Sequence, residues 1–428
     1  MTSDTDDDND TIKINIDRYS NHKLYFKNRL GALLSNPHFL LVYVPEDGAK
    51  MQVIRPANDS YHRRRMIRRI NEADEAEGIP SFYYALSHLW GVSPDNRYHW
   101  NDISEYVDDE DGQPAKPVSM RPEKRDTLLA LLKDHPDSYW WIDVLCARTD
   151  TPLDIMGDIY AYCLECIAMI DCEPDLISQL HQMEVFDFQH FSQCCSDDVV
   201  AARRSYDQCC QLTDSLCILI QSRWWKRVWT WQEMALPFGE VCLMAETGTH
   251  KPLSNTITMR ELVRNYDKMS SFMGRVESLN SDIKRPEYGK TKEKMTRVDR
   301  KATLDAWSDE ACAASVYNRD RLGDSYIEHN FLSLLWTLGN SPRRCMDPVD
   351  YVYGVLGIFH FKIPRMDDPD AVWKLFLSEM DKFLDSLETP FRISDRAYQV
   401  DLRKAQDMAD VYRDLTNHNF LFHAVYRM

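Results

Sequence analysis

The residues Tyr139-Trp140-Trp141-Ile142-Asp143-Val144-Leu145-Cys146 form a near-continuous apolar run. A strand with one wet face alternates polar and apolar side chains. A run apolar at almost every position reads as a strand covered on both faces. Such a strand needs helices on each side of its sheet, and the flanking chain supplies them. Phe82–Ser87 reads as a buried strand. Arg121–His135 reads as an amphipathic helix, with Leu128, Leu129 and Leu132 on one face and Pro136 ending it. Leu153–Glu165 reads as a second helix, Cys166–Ile170 as a strand, Arg204–Ala235 as a long helix broken near Ser222, and Glu240–Met244 as a fourth strand. Strand and helix alternate, which predicts an α/β domain over residues 81–247, with a mostly parallel sheet flanked by helices. Ligands of such sheets bind beyond the carboxyl ends of the strands. The loops after Ser87 and Asp143 are therefore the first places to look for function.

The flanks read differently. Residues 1–12 form an acidic tail, and residues 13–80 an N-terminal extension. In that extension Phe39–Val44 and Met51–Ile54 make a hairpin through Glu46-Asp47-Gly48. A charged helix follows, carrying the basic cluster Tyr61–Ile70 and then an acidic run from Glu72 to Glu77. Residues Asp108 to Gly112 mark an exposed excursion. Residues 248–324 read as a basic loop or linker, rich in cations between Lys284 and Lys301, and residues 325–428 as a helical C-terminal region that includes Tyr326–Leu338 and Ala371–Leu387.

Composition excludes several classes. The chain has 428 residues, 44% of them hydrophobic, enough for a sizeable core. Its formal charge is −17, which opposes broad binding to nucleic acid or anionic lipid. Nucleic-acid binding through Arg63–Arg69 or residues 284–301 ranks last among the readings. No segment approaches the roughly 18 apolar residues of a membrane span. The acidic N-terminus resembles neither a secretory signal nor a transit peptide, so a cytoplasmic location is expected. The 12 cysteines read as reduced thiols. Cys163 and Cys166 have C-x-x-C spacing but sit in an apolar segment without a well-spaced second pair, so no metal site is expected. Neither G-x-G-x-x-G nor a P-loop occurs, which weakens dehydrogenase and nucleoside-triphosphatase readings.

Three segments carry a resemblance. They are Tyr84-Ala85-Leu86-Ser87-His88-Leu89-Trp90-Gly91, then Trp141-Ile142-Asp143-Val144-Leu145-Cys146 running on to Met156-Gly157-Asp158-Ile159-Tyr160, then Trp224-Trp225-Lys226-Arg227-Val228-Trp229-Thr230-Trp231-Gln232-Glu233. In this order they resemble the fungal heterokaryon-incompatibility (HET) domain, which reads roughly Y-x-A-L-S-Y-x-W-G, W-I-D-A-L-C-I-N-Q and R-x-W-x-x-Q-E. Asp350-Tyr351-Val352-Tyr353-Gly354-Val355-Leu356-Gly357 resembles a D-K-V-Y-G-L-L-G segment often found downstream. The chain departs from the family at Ala147-Arg148-Thr149, Ile155 and Met169-Ile170-Asp171, beside the expected ligand edge.

The resemblance implies a flavodoxin-like sheet related to the Toll/interleukin-1 receptor (TIR) fold. It implies a role in fungal nonself recognition and programmed cell death. It implies self-association, or another incompatibility protein as partner. Some TIR relatives cleave NAD with a glutamate in a W-x-x-x-E context, and Trp229 and Glu233 have that spacing. NAD would then be a substrate, not a cofactor. The alternative is a non-catalytic scaffold that signals by self-association.

The residues allow this chemistry. Trp229 and Glu233 lie one helical turn apart and share a face. A carboxylate there could stabilise the oxocarbenium-like ribose formed when an N-glycosidic bond breaks. The plainer reading has Glu233 capping or pairing with an arginine or a backbone amide. Asp143, placed inside its strand, is expected to accept backbone amides near Ser87. Ser87 and His88 point to opposite faces and cannot pair with each other. Trp90 and Gly91 are expected to shape the mouth of a nucleotide pocket, with Trp90 either stacking on a ring or packing the core. Cys146 reads as a buried thiol.

Overall fold

The computed structural model describes residues 11–13, 22–76, 78–90, 98–181, 199–248, 256–279, 297–320, 327–386 and 405–417. The elements in chain order begin with α1 (His22–Leu34), β1 (Leu41–Val44), β2 (Met51–Ile54), α2 (Ser60–Glu75) and β3 (Tyr83–His88). Short strands β4 (His99–Trp100), β5 (Val107–Asp108) and β6 (Val118–Ser119) lead to α3 (Pro122–Lys133) and β7 (Ser138–Ile142). The single turn α4 (Asp143–Cys146), α5 (Ile155–Ala161), β8 (Glu165–Ile170), α6 (Pro174–His181) and α7 (Val199–Ile220) follow. Then come α8 (Thr230–Ala235), β9 (Glu240–Ala245) and β10 (Thr256–Thr258). The remaining helices are α9 (Met259–Leu279), α10 (Arg297–Asp320), α11 (Ile327–Asn340), α12 (Asp350–Phe359), α13 (Pro369–Ser386) and α14 (Met408–Asn417).

Eight strands form one sheet in the order β10-β9-β8-β3-β7-β1-β2-β5. Its centre is parallel: β9, β8, β3 and β7 run together, with Ala85 opposite both Trp141 and Cys166. The flanks are mixed. β10 runs antiparallel to β9, and the hairpin β1–β2 joins antiparallel to β7 through Val42 opposite Trp140. The N-terminal hairpin thus extends the same sheet. Every residue of β7 is buried, as its unbroken apolar run requires.

Local chemistry accounts for the helix starts. Asp59 caps α2 by accepting the His62 amide at 2.9 Å, and Pro122 opens α3, where its missing N–H costs nothing. Two arginines of the basic cluster of α2 are paired internally. Arg65 and Arg69 both pair with Asp137, a residue at φ 54° just before β7, and Arg69 also lies over the Tyr139 ring. For these two arginines the compensating carboxylate is Asp137.

Several expectations are corrected. β7 stops at Ile142, so Asp143 opens the turn α4 instead of lying inside the strand. The break expected near Ser222 is present, and the helix over Arg204–Ala235 falls into three pieces: α7, a 3-10 turn at Trp224–Lys226, and α8. Asp171 imposes the break, because its carboxylate accepts the Arg223 and Trp224 amides and so starts a new turn there. The loop or linker at 248–324 carries β10, α9 and α10, although the cationic stretch 281–296 lies outside the described residues. Of the expected tail, Thr11 and Ile12 are described. The Thr11 carbonyl accepts from Asn71, and Ile12 is buried.

The C-terminal helices pack directly on the α/β unit. α12 crosses α5 and α8 at glycines. A Cβ on Gly357 would lie 2.4 Å from the Gly157 Cα and 2.2 Å from Gln232 Oε1, and one on Gly354 would lie 2.8 Å from Val228. The glycines of the D-Y-V-Y-G-V-L-G segment are thus what lets this helix approach. Gln232 fastens the contact by donating to the Tyr353 carbonyl at 2.8 Å and accepting the Gly357 amide at 3.2 Å.

Candidate functional site

The carboxyl ends of the parallel strands gather the expected polar residues. β3 delivers Ser87 and His88 to opposite faces, and both are about 1% exposed. Asp143 arrives from the end of β7, one residue past the Leu86–Ile142 register pair. Glu233 arrives from α8 and is 6% exposed.

On one face Ser87 donates to Glu233 and accepts the Trp224 indole N–H at 2.7 Å. Burial pushes the Glu233 carboxyl up to about 7, against the pull of Arg227, the Ser87 bond and Arg343, while the charge of Asp143 pushes the same way as burial. The backbone of the α8 approach is held by Arg343. Its guanidinium donates to the Arg227 carbonyl at 3.0 Å and to the Thr230 hydroxyl, and it pairs with Glu310 at 2.5 Å in the interior. Glu233 therefore bonds to a hydroxyl, and among the described residues neither an arginine nor a backbone amide takes the place expected for it.

On the other face His88 Nε2 lies 2.8 Å from Asp143 Oδ1, and the Trp90 indole donates to Asp143 Oδ2 at 2.5 Å. The Asp143 carboxylate also accepts the Val144 amide at 2.6 Å. The backbone amides near Ser87 are not its partners, so side chains hold it instead. Burial opposes its charge, but His88, the Trp90 bond and Arg227 outweigh that and hold it below the usual carboxylate range. Behind His88 sits Lys124, fully buried, 3.3 Å from His88 Nδ1 and 3.1 Å from Glu246 Oε2, and donating to the Leu89 carbonyl. Burial and then Arg121 bring its ammonium down to about 7. His88 Nδ1 also lies 3.0 Å from the Leu89 carbonyl, while Nε2 is directed at Asp143.

Trp90 is 48% exposed, so of its two expected roles core packing is the one corrected. Gly91 lies outside the described residues. Trp229 precedes α8 as its cap residue, and its side chain hydrogen-bonds Asp350. The sequence spacing to Glu233 is kept, but Trp229 turns to the C-terminal region. Cys146 is buried and its thiol is pushed up to about 12, as an inert thiol should be.

Four participants were not singled out from sequence. Arg227 donates to the His88 carbonyl at 2.9 Å and tempers both carboxylates. Lys124 lies in the amphipathic helix expected over Arg121–His135. Glu246 and Arg343 lie far from the motifs in sequence. The available signals were position alone: Glu246 directly follows a central strand, and Arg227 lies inside the third motif.

Among the described residues, no group of three or more His, Cys, Asp and Glu side chains could hold a metal ion. No helix among them is long and apolar enough to cross a membrane. No curated protein and no solved structure matches the chain. A family model does match, from the first residue of β3 to Glu233: over residues 83–233 the chain matches the family described as Heterokaryon incompatibility protein (HET).

Proposed function

We propose that this HET domain acts in fungal nonself recognition and cell death by hydrolysing NAD at the nicotinamide–ribose bond, in a sheet of the TIR type. The observation that supports this reading is the pairing, at one strand edge, of two carboxyl groups with opposite proton affinities: Asp143 held as the anion and Glu233 raised to about 7. Paired carboxyls pushed apart in this way are the usual basis for dividing acid–base roles. Nicotinamide is cationic in NAD and leaves with the bonding electron pair, so it needs no acid. The ribose is left oxocarbenium-like. In its anionic form Glu233 stabilises that charge and then takes a proton from the attacking water, a task suited to a group that titrates near neutrality. Water supplies the new C–O bond, and the products are ADP-ribose, nicotinamide and one proton. The half-exposed ring of Trp90 offers a stacking face at the rim, fixed by its bond to Asp143.

The burial of Glu233 favours a second reading. In that reading the Ser87–Glu233 bond is a structural tie, and the domain signals by self-association without catalysis. The deciding experiment is nicotinamide release from NAD by dilute and concentrated protein, with Glu233→Gln as the control and light scattering on the same samples. Release in the parent that disappears in a folded variant supports hydrolysis. Assembly without release, unchanged in the variant, supports the scaffold.

A further inference from the structure

A second site lies at the opposite end of β9 from the polar edge. A cleft of about 390 Å³ opens where α8 ends, β9 begins, and α9 and α10 pass by. That volume is in the range of small-molecule sites. Its wall is apolar, built from Met234, Phe238, Val241, Met259 and Val263. Its rim is basic: Arg260, Arg264 and Lys268 recur at four-residue spacing along α9 and so share one face.

The charges of this rim are unequal in engagement. Arg260 is paired with Glu240 at 2.9 Å, and the Asp267 carboxylate accepts the Ser308 hydroxyl at 3.3 Å. Both carboxylates of the lining thus have partners. Arg264 and Lys268 are exposed and, among the described residues, have no carboxylate partner. The cleft presents two adjacent cations beside an apolar wall.

We propose that this cleft binds a small organic anion with an apolar body, the anionic head between Arg264 and Lys268 and the body against Met234, Phe238 and Val263. The charge complement selects the head and the wall selects the body. An anion without a body gains only a screened surface attraction. A neutral molecule of the same length loses the charge-assisted hydrogen bonds.

The probe is decanoate, compared with 1-decanol and inorganic phosphate, titrated by calorimetry against the full chain. Cys312 lines the same cleft and is exposed, so its thiol alkylation rate, read on its own peptide, gives a second and local readout. Decanoate is expected to bind and to slow alkylation, with 1-decanol and phosphate each at least about tenfold weaker. The pair Arg264→Ala and Lys268→Ala should weaken decanoate by about tenfold or more and leave the fold intact, because both side chains are at the surface. The pair Arg264→Glu and Lys268→Glu should abolish the protection. Equal binding of 1-decanol and decanoate would overturn the proposal, as would unchanged affinity in the alanine pair, or no binding of decanoate at all.

Discussion

The two faces of β3 use adjacent residues for different purposes. Ser87 opens onto a face of hydroxyl, indole and a carboxyl that burial leaves half-protonated near neutrality. His88 opens onto a face of ion pairs in which Asp143 stays charged and Lys124 meets Glu246. Glu233 is taken out of water and Asp143 largely so. What separates them is the number of positive or donor groups that reach each oxygen. Asp143 receives His88, Trp90 and the Val144 amide, whereas Glu233 receives one hydroxyl and feels its arginines from further away. Burial alone does not decide a carboxyl's proton affinity; the inventory of donors against it does.

The largest expected effect tests what anchors the Ser87 face. Arg343 is 2% exposed and Glu310 9%, and the pair ties the start of α8 to α10. Breaking a buried pair strands its partner's charge, so Arg343→Ala should cost about 3–5 kcal/mol in chemical denaturation. Removing Glu310 as well should recover part of that loss, because no charge is then left unpaired. A cost for Arg343→Ala below about 1 kcal/mol would show that α8 is held by packing alone, chiefly by α12 through its glycines.

The next effect reads the Glu233 side directly. Its folded pKa, about 7, lies above its ordinary value of 4.5, so the folded state holds the proton more tightly than the unfolded chain does. The sign follows: this group's contribution to stability is fully present below about pH 4.5 and is lost as pH rises through about 7. The shift corresponds to about 3 kcal/mol. Glu233→Gln should therefore flatten the decline in stability between pH 5 and pH 8, relative to the parent, in denaturation series at matched salt. Parallel curves for parent and variant would mean that Glu233 is ionised throughout, and the contrast between the two faces would fail.

Much of this was legible from the chain. The parallel centre followed from apolar runs alternating with helical periodicity, and the opposition of Ser87 and His88 followed from the two-residue period of a strand. The partners of those residues were not legible. Asp143 reads as a strand residue because the apolar run continues past it, although the strand ends at Ile142 and Asp143 opens a helical turn. The Trp229–Glu233 spacing suggested one shared face, but the helix begins only at Thr230, and Trp229 is drawn away to Asp350. Lys124, Glu246 and Arg343 enter through tertiary contacts across 35 to 122 residues (246 − 124 = 122 for the widest), which no local pattern encodes. The basic cluster of α2 showed its charge but not that Asp137 would pair with Arg65 and Arg69.

The smallest effect separates the faces most cleanly. Trp90→Phe removes one indole donor from Asp143 and little packing, since the ring is 48% exposed. One hydrogen bond to a partly wet carboxylate is worth about 1 kcal/mol. Asp143 is held below the usual carboxylate range, so its contribution is present above the unfolded value near 3.9 and is lost as pH falls through the folded value. The deficit of Trp90→Phe should accordingly be constant from pH 8 down to pH 5 and shrink below about pH 4, where Asp143 takes up a proton. That window lies below the Glu233 window, so a two-variant pH series assigns each carboxyl its own range. A Trp90→Phe deficit that instead persisted unchanged to pH 2 would show that the indole serves the fold through contact rather than through the Asp143 anion, and the ionic character of the His88 face would then rest on His88 and Lys124 alone.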